Sequence, residues 1–201
     1  MGLEPESNNI QYPSSISADG THFVFDEQMR GDSTIYMVPL RGERRVTSLI
    51  ATMFDERNSQ LSGDDRWIAY QSNESGRDEV YVRPFPGVDG GRSQVSTGGG
   101  RQPLWAPNSR ELSDVDPDGR IVAVPIQLSP GFSAGSPRAI VDRPLVLGLT
   151  GIPGRMYDVS RDGQRFLIIK AGGDGDQPAP SPQIVVVQNW FQELKRLAPT
   201  N

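Results

Sequence analysis

The chain has 201 residues, only 35% of them hydrophobic, and its many glycines (22) and prolines (17) are typical of short strands joined by turns. Its formal net charge is −5 and it has no Lys/Arg block, which argues against nucleic acid or an anionic membrane surface as a partner. The absence of cysteine excludes disulfides and thiol chemistry. No apolar run approaches the ~18 residues of a membrane span, and residues 1–6 lack the features of a signal peptide.

A strand–turn–strand motif occurs four times. Its polar turns are Ser-Ala-Asp-Gly at 17–20, Ser-Gly-Asp-Asp at 62–65, Ala-Pro-Asn-Ser at 106–109 and Ser-Arg-Asp-Gly at 160–163. The first residues of these turns, which we call the anchors, are separated by 45, 44 and 54 residues. A four-stranded propeller blade repeats at roughly 40–50 residues. The spacing therefore predicts an all-β protein, a β-propeller or part of one, with four blades of about 45 residues.

We place the four units at about residues 12–52, 53–98, 99–151 and 152–188 of a single propeller domain, 1–201. The third interval is longer because residues 127–154 carry a Gly-, Pro- and Ser-rich insertion. At the end of the chain the pattern changes. Asn189 can cap a helix, and four apolar residues then lie on one helical face. This predicts a short helix at 189–197 that covers the sheet edge, with docking of a partner as the alternative.

The units resemble the TolB-type, WD40-like (PD40) propeller repeat, whose hallmark is an aromatic or aliphatic residue followed by Ser-Pro-Asp-Gly. The segments Glu-Val-Tyr-Val-Arg-Pro-Phe-Pro at 79–86 and Asn-Trp-Phe-Gln-Glu-Leu-Lys-Arg-Leu at 189–197 are similar to the C-terminal propeller part of bacterial serine/threonine kinase–propeller proteins. The sequence departs from the hallmark in every turn and contains no kinase motif. The resemblance implies a binding propeller in the periplasm or elsewhere outside the cytoplasm. Family propellers usually have six or more blades, so four units form either a small closed ring or an open arc.

The alignment also predicts a ring of side chains. Five residues before the anchors stand Tyr12, Arg57, Arg101 and Arg155. Equivalent positions of a propeller lie near one mouth of the central channel, so three arginines there would form a positive site. Guanidinium groups suit carboxylates and phosphates. The alternative is that each arginine pairs with a neighbouring acid, such as Asp55, Glu56 or Asp158.

A second candidate is the Asp-x-Asp-x-Asp-Gly segment at 114–119, which matches the start of a calcium loop. Asp114, Asp116 and Asp118 would be the ligands of a calcium ion. The position where an EF-hand needs glutamate is Pro125, and the flanking segments are strands. The alternative is a Pro-Asp-Gly turn with solvated aspartates.

A third candidate is the Gly-x-Ser-x-Gly segment at 131–135, in which Ser133 would be a nucleophile and His22, the only histidine, its base. Such an elbow must lie between a buried strand and a helix, and Pro137 argues against a helix there. The alternative is a flexible loop of the insertion.

These patterns favour a non-enzymatic binding module that holds a protein, peptide or small anionic ligand at the channel mouth. One alternative is a calcium-dependent propeller hydrolase acting on esters or lactones. Another is a structural arc that completes a larger propeller assembly, for which a homo-oligomer would protect the exposed sheet edges.

Overall fold

The computed structural model describes residues 7–141, 154–170 and 183–187. Apart from one 3-10 turn at Val88–Gly90, its regular elements are strands, which form four antiparallel sheets in chain order. The all-β, propeller-type prediction is confirmed. The predicted helix at 189–197 lies outside the described residues. Within the described ranges, no helix is long and apolar enough to cross a membrane.

Each sheet is one propeller blade, and the blades are built from local hairpins. Blade 1 contains β1 (Ile10–Ile16), β2 (His22–Gln28), β3 (Ser33–Pro39) and β4 (Thr47–Ile50). Blade 2 contains β5 (Arg57–Leu61), β6 (Trp67–Ser72), β7 (Glu79–Pro84) and β8 (Ser93–Gln94). Blade 3 contains β9 (Arg101–Trp105), β10 (Glu111–Val115) and β11 (Ile121–Gln127), whose edge pairs with both β12 (Ser133–Ala134) and β13 (Arg138–Val141). Blade 4 contains β14 (Tyr157–Val159), β15 (Phe166–Lys170) and β16 (Gln183–Val187).

The hydrophobic core lies between consecutive blades, in three clusters. The first joins blades 1 and 2 around Val24, Ile35, Ile68 and Tyr70. The second joins blades 2 and 3, and the third joins blades 3 and 4. Because side chains alternate along a strand, a central strand contributes to two clusters at once. This is why the strands are apolar on both faces rather than on one.

The anchor turns of neighbouring blades are joined by hydrogen bonds. The Asp65 carboxylate of the second turn accepts the backbone N–H groups of Ala18 (2.8 Å) and Asp19 (3.0 Å) from the first turn. Ser109 of the third turn likewise accepts the Gly63 N–H at 2.9 Å. Asp65 and Ser109 both have a positive φ, of 55° and 56°. Since Asp65 tolerates this conformation and also caps the neighbouring turn, it links local turn geometry to blade packing.

We expect Asp65→Ala to lower the free energy of unfolding by about 1–2 kcal/mol. The alanine loses two charge-assisted hydrogen bonds and still carries the cost of a positive φ. Urea denaturation of the two proteins measures the difference. Asp65→Asn keeps one acceptor oxygen, and asparagine tolerates the turn conformation. This variant should therefore lose less free energy of unfolding than the alanine variant. Equal losses in the two variants would contradict the capping role.

Candidate binding site at the propeller axis

The innermost strands of the blades begin with irregular backbone. In β5 the pairing register shifts between Arg57 and Gln60, and Asn58 has a φ of 54°. In β9, Gln102 takes the equivalent place with a φ of 55°. A residue in a bulge does not pair with the neighbouring strand of its own sheet, so its N–H is free to point away from that sheet. Here both N–H groups are directed at the preceding blade.

Asp26 of β2 receives the first of these N–H groups. Its Oδ2 accepts the Asn58 N–H at 2.5 Å, and its Oδ1 accepts the Ser59 hydroxyl at 2.8 Å. The residue is only 4% exposed. Burial raises the pKa of Asp26 above its ordinary value, and the hydrogen bonds from Ser59, Ser14 and Asn58 act in the opposite direction. Asp26 therefore fastens blade 1 to blade 2 beside the axis.

Gln71 of β6 has the same role one blade later. Its Oε1 accepts the Gln102 N–H at 3.2 Å and the Asn58 side-chain amide at 3.1 Å. The Gln102 side chain in turn contacts blade 4. Its Nε2 donates to the Gly154 carbonyl at 2.9 Å, and its Oε1 accepts the Met156 N–H at 3.2 Å. A partly buried chain of polar contacts therefore runs from blade 1 to blade 4.

The four ring residues predicted from the alignment lie at or near the starts of the innermost strands: Arg57 and Arg101 begin β5 and β9, Tyr12 is the third residue of β1, and Arg155 comes two residues before β14. Tyr12 donates its hydroxyl to Gln28 at 3.2 Å. Arg57 is bound by two carboxylates, Asp55 at 3.0 Å and Asp78 at 3.3 Å, and its side chain is 38% exposed. For Arg57 the alternative of pairing with a neighbouring acid is therefore what the structure shows.

The other two arginines have backbone partners. Arg101 donates to the Asp116 carbonyl at 3.5 Å. Arg155 donates through Nε to the Pro103 carbonyl at 3.2 Å. Among the described residues, no carboxylate lies within ion-pair distance of Arg155. Burial lowers the pKa of Arg155 below its ordinary value, while Tyr157, Asp158 and Asp26 oppose this shift.

A small cavity of about 30 Å³ brings part of this ring together. Its walls are formed by residues from blades 1, 2 and 4, namely Tyr12, Asp26, Gln28, Ser33, Arg57, Asn58 and Gly154. The volume is that of about one water molecule. The structure thus places Tyr12, Arg57 and the residue before Arg155 around one cavity, and Arg101 does not line it.

The three aspartates of the predicted calcium loop do not converge. Asp114 is a buried residue of β10, 1% exposed. Asp116 accepts the Arg120 N–H at 2.8 Å, and Asp118 is an exposed residue that pairs with the Arg120 guanidinium at 3.0 Å. Within the described ranges, no group of three or more His, Asp or Glu side chains is arranged to hold a metal ion. The calcium prediction has no support: Asp114 is buried in β10, whereas Asp116 and Asp118 belong to the turn that follows this strand and contact Arg120.

Asp114 is unusual for another reason. Both of its carboxylate oxygens are buried, and neither has a hydrogen-bond partner among the described residues. Burial raises its pKa from the ordinary 3.8 to about 7, and the charges of Asp116 and Glu79 add to the shift. Glu79 is fully buried but well bonded, since it accepts the Arg77 Nε–H and the Gly99 N–H. Asp114 is therefore a buried acid that keeps its proton to a much higher pH than an exposed aspartate does.

The structure does not bring Ser133 and His22 together as a nucleophile and base. Ser133 is an exposed residue of the edge strand β12 in blade 3, so it is not on a strand-to-helix elbow. His22 begins β2 of blade 1, where Nδ1 contacts the Thr21 hydroxyl at 2.8 Å and the ring meets Phe85 edge-on. No hydrogen bond links the two in the described part of the chain.

Sequence reasoning missed Asp26, Gln71 and Gln102. Asp26 and Gln71 stand nine residues after their anchors, inside otherwise apolar strands. A polar residue repeated at one blade position was the available signal, since buried polar groups require partners. Their partners are backbone N–H groups, which residue types do not reveal.

No protein-family profile matches the chain, and no curated protein matches it in sequence. Solved structures do match. TolB from Acinetobacter baumannii superposes with a TM-score of 0.62 at 13% identity, over 90% of this chain and 41% of that one. A puromycin-hydrolyzing peptidase from Mycobacterium tuberculosis gives 0.59 at 19% identity, over 85% of this chain and 28% of that one. The β-propeller domain of the Trilobed protease from Pyrococcus furiosus, described as having an open velcro topology, gives 0.53 at 12% identity, over 89% and 53%.

The chain thus spans under half the length of the TolB chain and about half of the Trilobed protease domain. At these identities the similarity concerns the fold alone, and the fold is that of a TolB-like β-propeller.

Proposed function

We propose that this chain is a non-enzymatic binding module in which the propeller axis takes an anionic group of a protein, peptide or small-molecule partner. The group we expect is a carboxylate or a phosphate. Arg155 would be its main anchor, with Tyr12 and Arg57 beside it and Arg101 further out.

The observation that carries this proposal is the state of Arg155. The residue is partly buried, and a single backbone carbonyl, that of Pro103, is the hydrogen-bond partner of its guanidinium among the described residues. Arg57, in contrast, is already neutralised by Asp55 and Asp78. A desolvated guanidinium without a carboxylate favours an incoming anion, because its remaining N–H groups can form charge-assisted, bidentate hydrogen bonds.

The surroundings limit what kind of anion would fit. The cavity beside Tyr12 holds about one water, so a ligand would approach from the channel mouth and present one charged group rather than enter whole. Asp26 is close enough to influence Arg155, but its oxygens are engaged by donors of blade 2. Gln102 bonds the backbone of Gly154 and of Met156, on either side of Arg155, and this positioning in advance reduces the entropy lost on binding.

Inorganic phosphate and citrate are suitable probes of this site. We expect either anion at millimolar concentration to raise the melting temperature above that in sodium chloride of equal ionic strength. Arg155→Gln should weaken the effect about tenfold or more, since a charge-assisted hydrogen bond to an anion contributes roughly 1.5–3 kcal/mol. Isothermal titration calorimetry gives the dissociation constants.

Arg110→Gln is the matched control, because Arg110 is an exposed arginine in the anchor turn of blade 3. It should bind as the unaltered protein does. If neither anion shifts the melting temperature, or if Arg155→Gln binds both with unchanged affinity, the axis is not an anion site.

A further inference from the structure

A buried carboxylate lies beside the proposed anion site. Asp26 lines the same small cavity as Tyr12 and Arg57, and it is only 4% exposed. Its negative charge also acts on Arg155. An anion held by Arg155 would therefore be repelled by a second negative charge, in surroundings that screen this repulsion poorly. The strength of anion binding thus depends on whether Asp26 carries its proton.

The contacts of Asp26 suit both of its protonation states. Its Oδ1 contacts the Ser59 hydroxyl at 2.8 Å, and its Oδ2 accepts the Asn58 N–H at 2.5 Å. A hydroxyl both donates and accepts, so a proton on Oδ1 reverses the hydrogen bond with Ser59 without breaking it. Oδ2 accepts the Asn58 N–H in either state. A proton therefore removes the charge of Asp26 and leaves the junction between blades 1 and 2 in place.

The charged and titratable groups around Asp26 belong to blades 1, 2 and 4. They are Tyr12 of blade 1, Asp55, Arg57 and Asp78 at blade 2, and Arg155, Tyr157 and Asp158 at blade 4. Glu56, which precedes Arg57, is also buried, but its carboxylate accepts the Thr52 hydroxyl of its own loop. Glu27 follows Asp26 in β2 and therefore points to the opposite face of the strand. Among the described residues that line the cavity, Asp26 is the carboxylate.

The sign of the pH effect follows from the burial of Asp26. Burial raises the pKa of Asp26 above its ordinary 3.8, so the folded protein loses this proton at a higher pH than an exposed aspartate does. The loss adds a negative charge beside Arg155, so the affinity for an anion falls as the pH rises through this range. Because linkage is reciprocal, a bound anion must in turn favour the protonated form of Asp26.

We propose that Asp26 makes anion binding at the propeller axis pH-dependent: the site binds tightly while Asp26 is protonated and more weakly once Asp26 is ionised. This inference rests on the proposed function, since it describes the regulation of the same site. It identifies the group that sets the affinity, although the oxygens of that group are engaged by blade 2.

Sulfate is the probe for this proposal, because it has the tetrahedral shape of phosphate and stays doubly charged throughout the experiment. Isothermal titration calorimetry at constant ionic strength gives its dissociation constant from about pH 4.5 to about pH 8. We expect the affinity to fall about tenfold or more across this range, because a dianion and a buried carboxylate repel each other strongly. Titrations in two buffers of different ionisation enthalpy should show that the protein takes up protons when sulfate binds.

Asp26→Asn removes the titrating group and keeps one acceptor oxygen. This variant should bind sulfate at every pH about as tightly as the wild type does at the acidic end, and without the proton uptake. Asp32→Asn is the matched control, because it removes one charge from the same blade and Asp32 does not line the cavity. It should keep the wild-type pH profile. A purely structural role of Asp26 would instead lower the affinity of Asp26→Asn and leave its pH dependence unchanged.

The outcomes separate this proposal from the proposed function. If sulfate binds with one affinity across the pH range, or if Asp26→Asn keeps the wild-type profile, the regulation by Asp26 is overturned and the anion site stands. If sulfate binds at no pH, both proposals are overturned. The proton-uptake measurement needs only the wild-type protein, so an Asp26→Asn variant that fails to fold does not prevent the test, and zero uptake overturns the regulation as well.

Discussion

Asp114→Asn is expected to raise the free energy of unfolding by up to about 4 kcal/mol above neutral pH, because a shift of one pKa unit corresponds to about 1.4 kcal/mol. The pKa of Asp114 rises from 3.8 to about 7 on folding, chiefly through burial. Its oxygens have no hydrogen-bond partner in the part of the chain that the structure describes, so ionisation leaves a buried charge uncompensated there. An asparagine amide has nearly the same shape and never ionises.

The pH dependence gives the sign of this effect. Below the ordinary pKa of 3.8 the Asp114 carboxyl is protonated in both the folded and the unfolded chain, and it does not affect stability through ionisation. As the pH rises from there to about 7, the unfolded chain loses the proton and the folded chain keeps it, so stability falls. The advantage of Asp114→Asn should therefore be near zero at about pH 4 and complete at about pH 8.

Urea denaturation of both proteins across this pH range measures the difference. Asp118→Asn is the control, because Asp118 is 67% exposed and forms a surface ion pair with Arg120. That substitution should change stability by less than about 1 kcal/mol and without the same pH profile. An Asp114→Asn variant that is less stable than the wild type at pH 8 would show that the ionised carboxylate has a partner of its own.

Asp26→Ala is expected to lower the free energy of unfolding by about 3 kcal/mol or more. The substitution removes the acceptor of the Asn58 N–H and of the Ser59 hydroxyl, and both donors would be left buried between blades 1 and 2. Asn58 also has a positive φ, so its strained conformation would lose the contact that holds it. Chemical denaturation monitored by circular dichroism tests this.

Asp32→Ala serves as the control for Asp26→Ala, because Asp32 lies in the turn between β2 and β3 of the same blade and is partly exposed. The free energy of unfolding of Asp32→Ala should lie within about 0.5 kcal/mol of the wild-type value. Asp26→Asn keeps one acceptor oxygen, so its free energy of unfolding should lie between those of Asp26→Ala and Asp32→Ala. If Asp26→Ala were as stable as Asp32→Ala, the hydrogen bonds to blade 2 would contribute nothing.

Much of the architecture follows from the spacing of the anchors. The turn residues around Ser17, Ser62, Ala106 and Ser160 encode hairpins through short-range preferences, and their intervals of 45, 44 and 54 residues predict blades. The strands themselves follow, because each reads as an apolar run between polar turns. The sequence could not show which face of a strand meets which neighbour, since in a propeller both faces are buried.

The candidate site was predicted less well. The alignment placed Tyr12, Arg57, Arg101 and Arg155 at equivalent positions, and the structure puts them at or near the starts of the innermost strands. Whether an arginine at one of these positions can bind an anion depends on whether a carboxylate from another segment already pairs with it, as Asp78 does with Arg57. The same limit applies to the calcium loop: the spacing of its aspartates suits a metal, but Asp114 lies within a strand.

The sequence by itself determined the repeat, the number of blades and the strand–turn pattern, because these depend on contacts between residues close in the chain. Only the tertiary structure decided which polar groups are paired. Asp26 and Asp114 are both aspartates in second strands of their blades, and both are buried. Asp26 accepts an N–H of the next blade, whereas Asp114 meets no donor within the described ranges, and that difference arises where separate blades pack together.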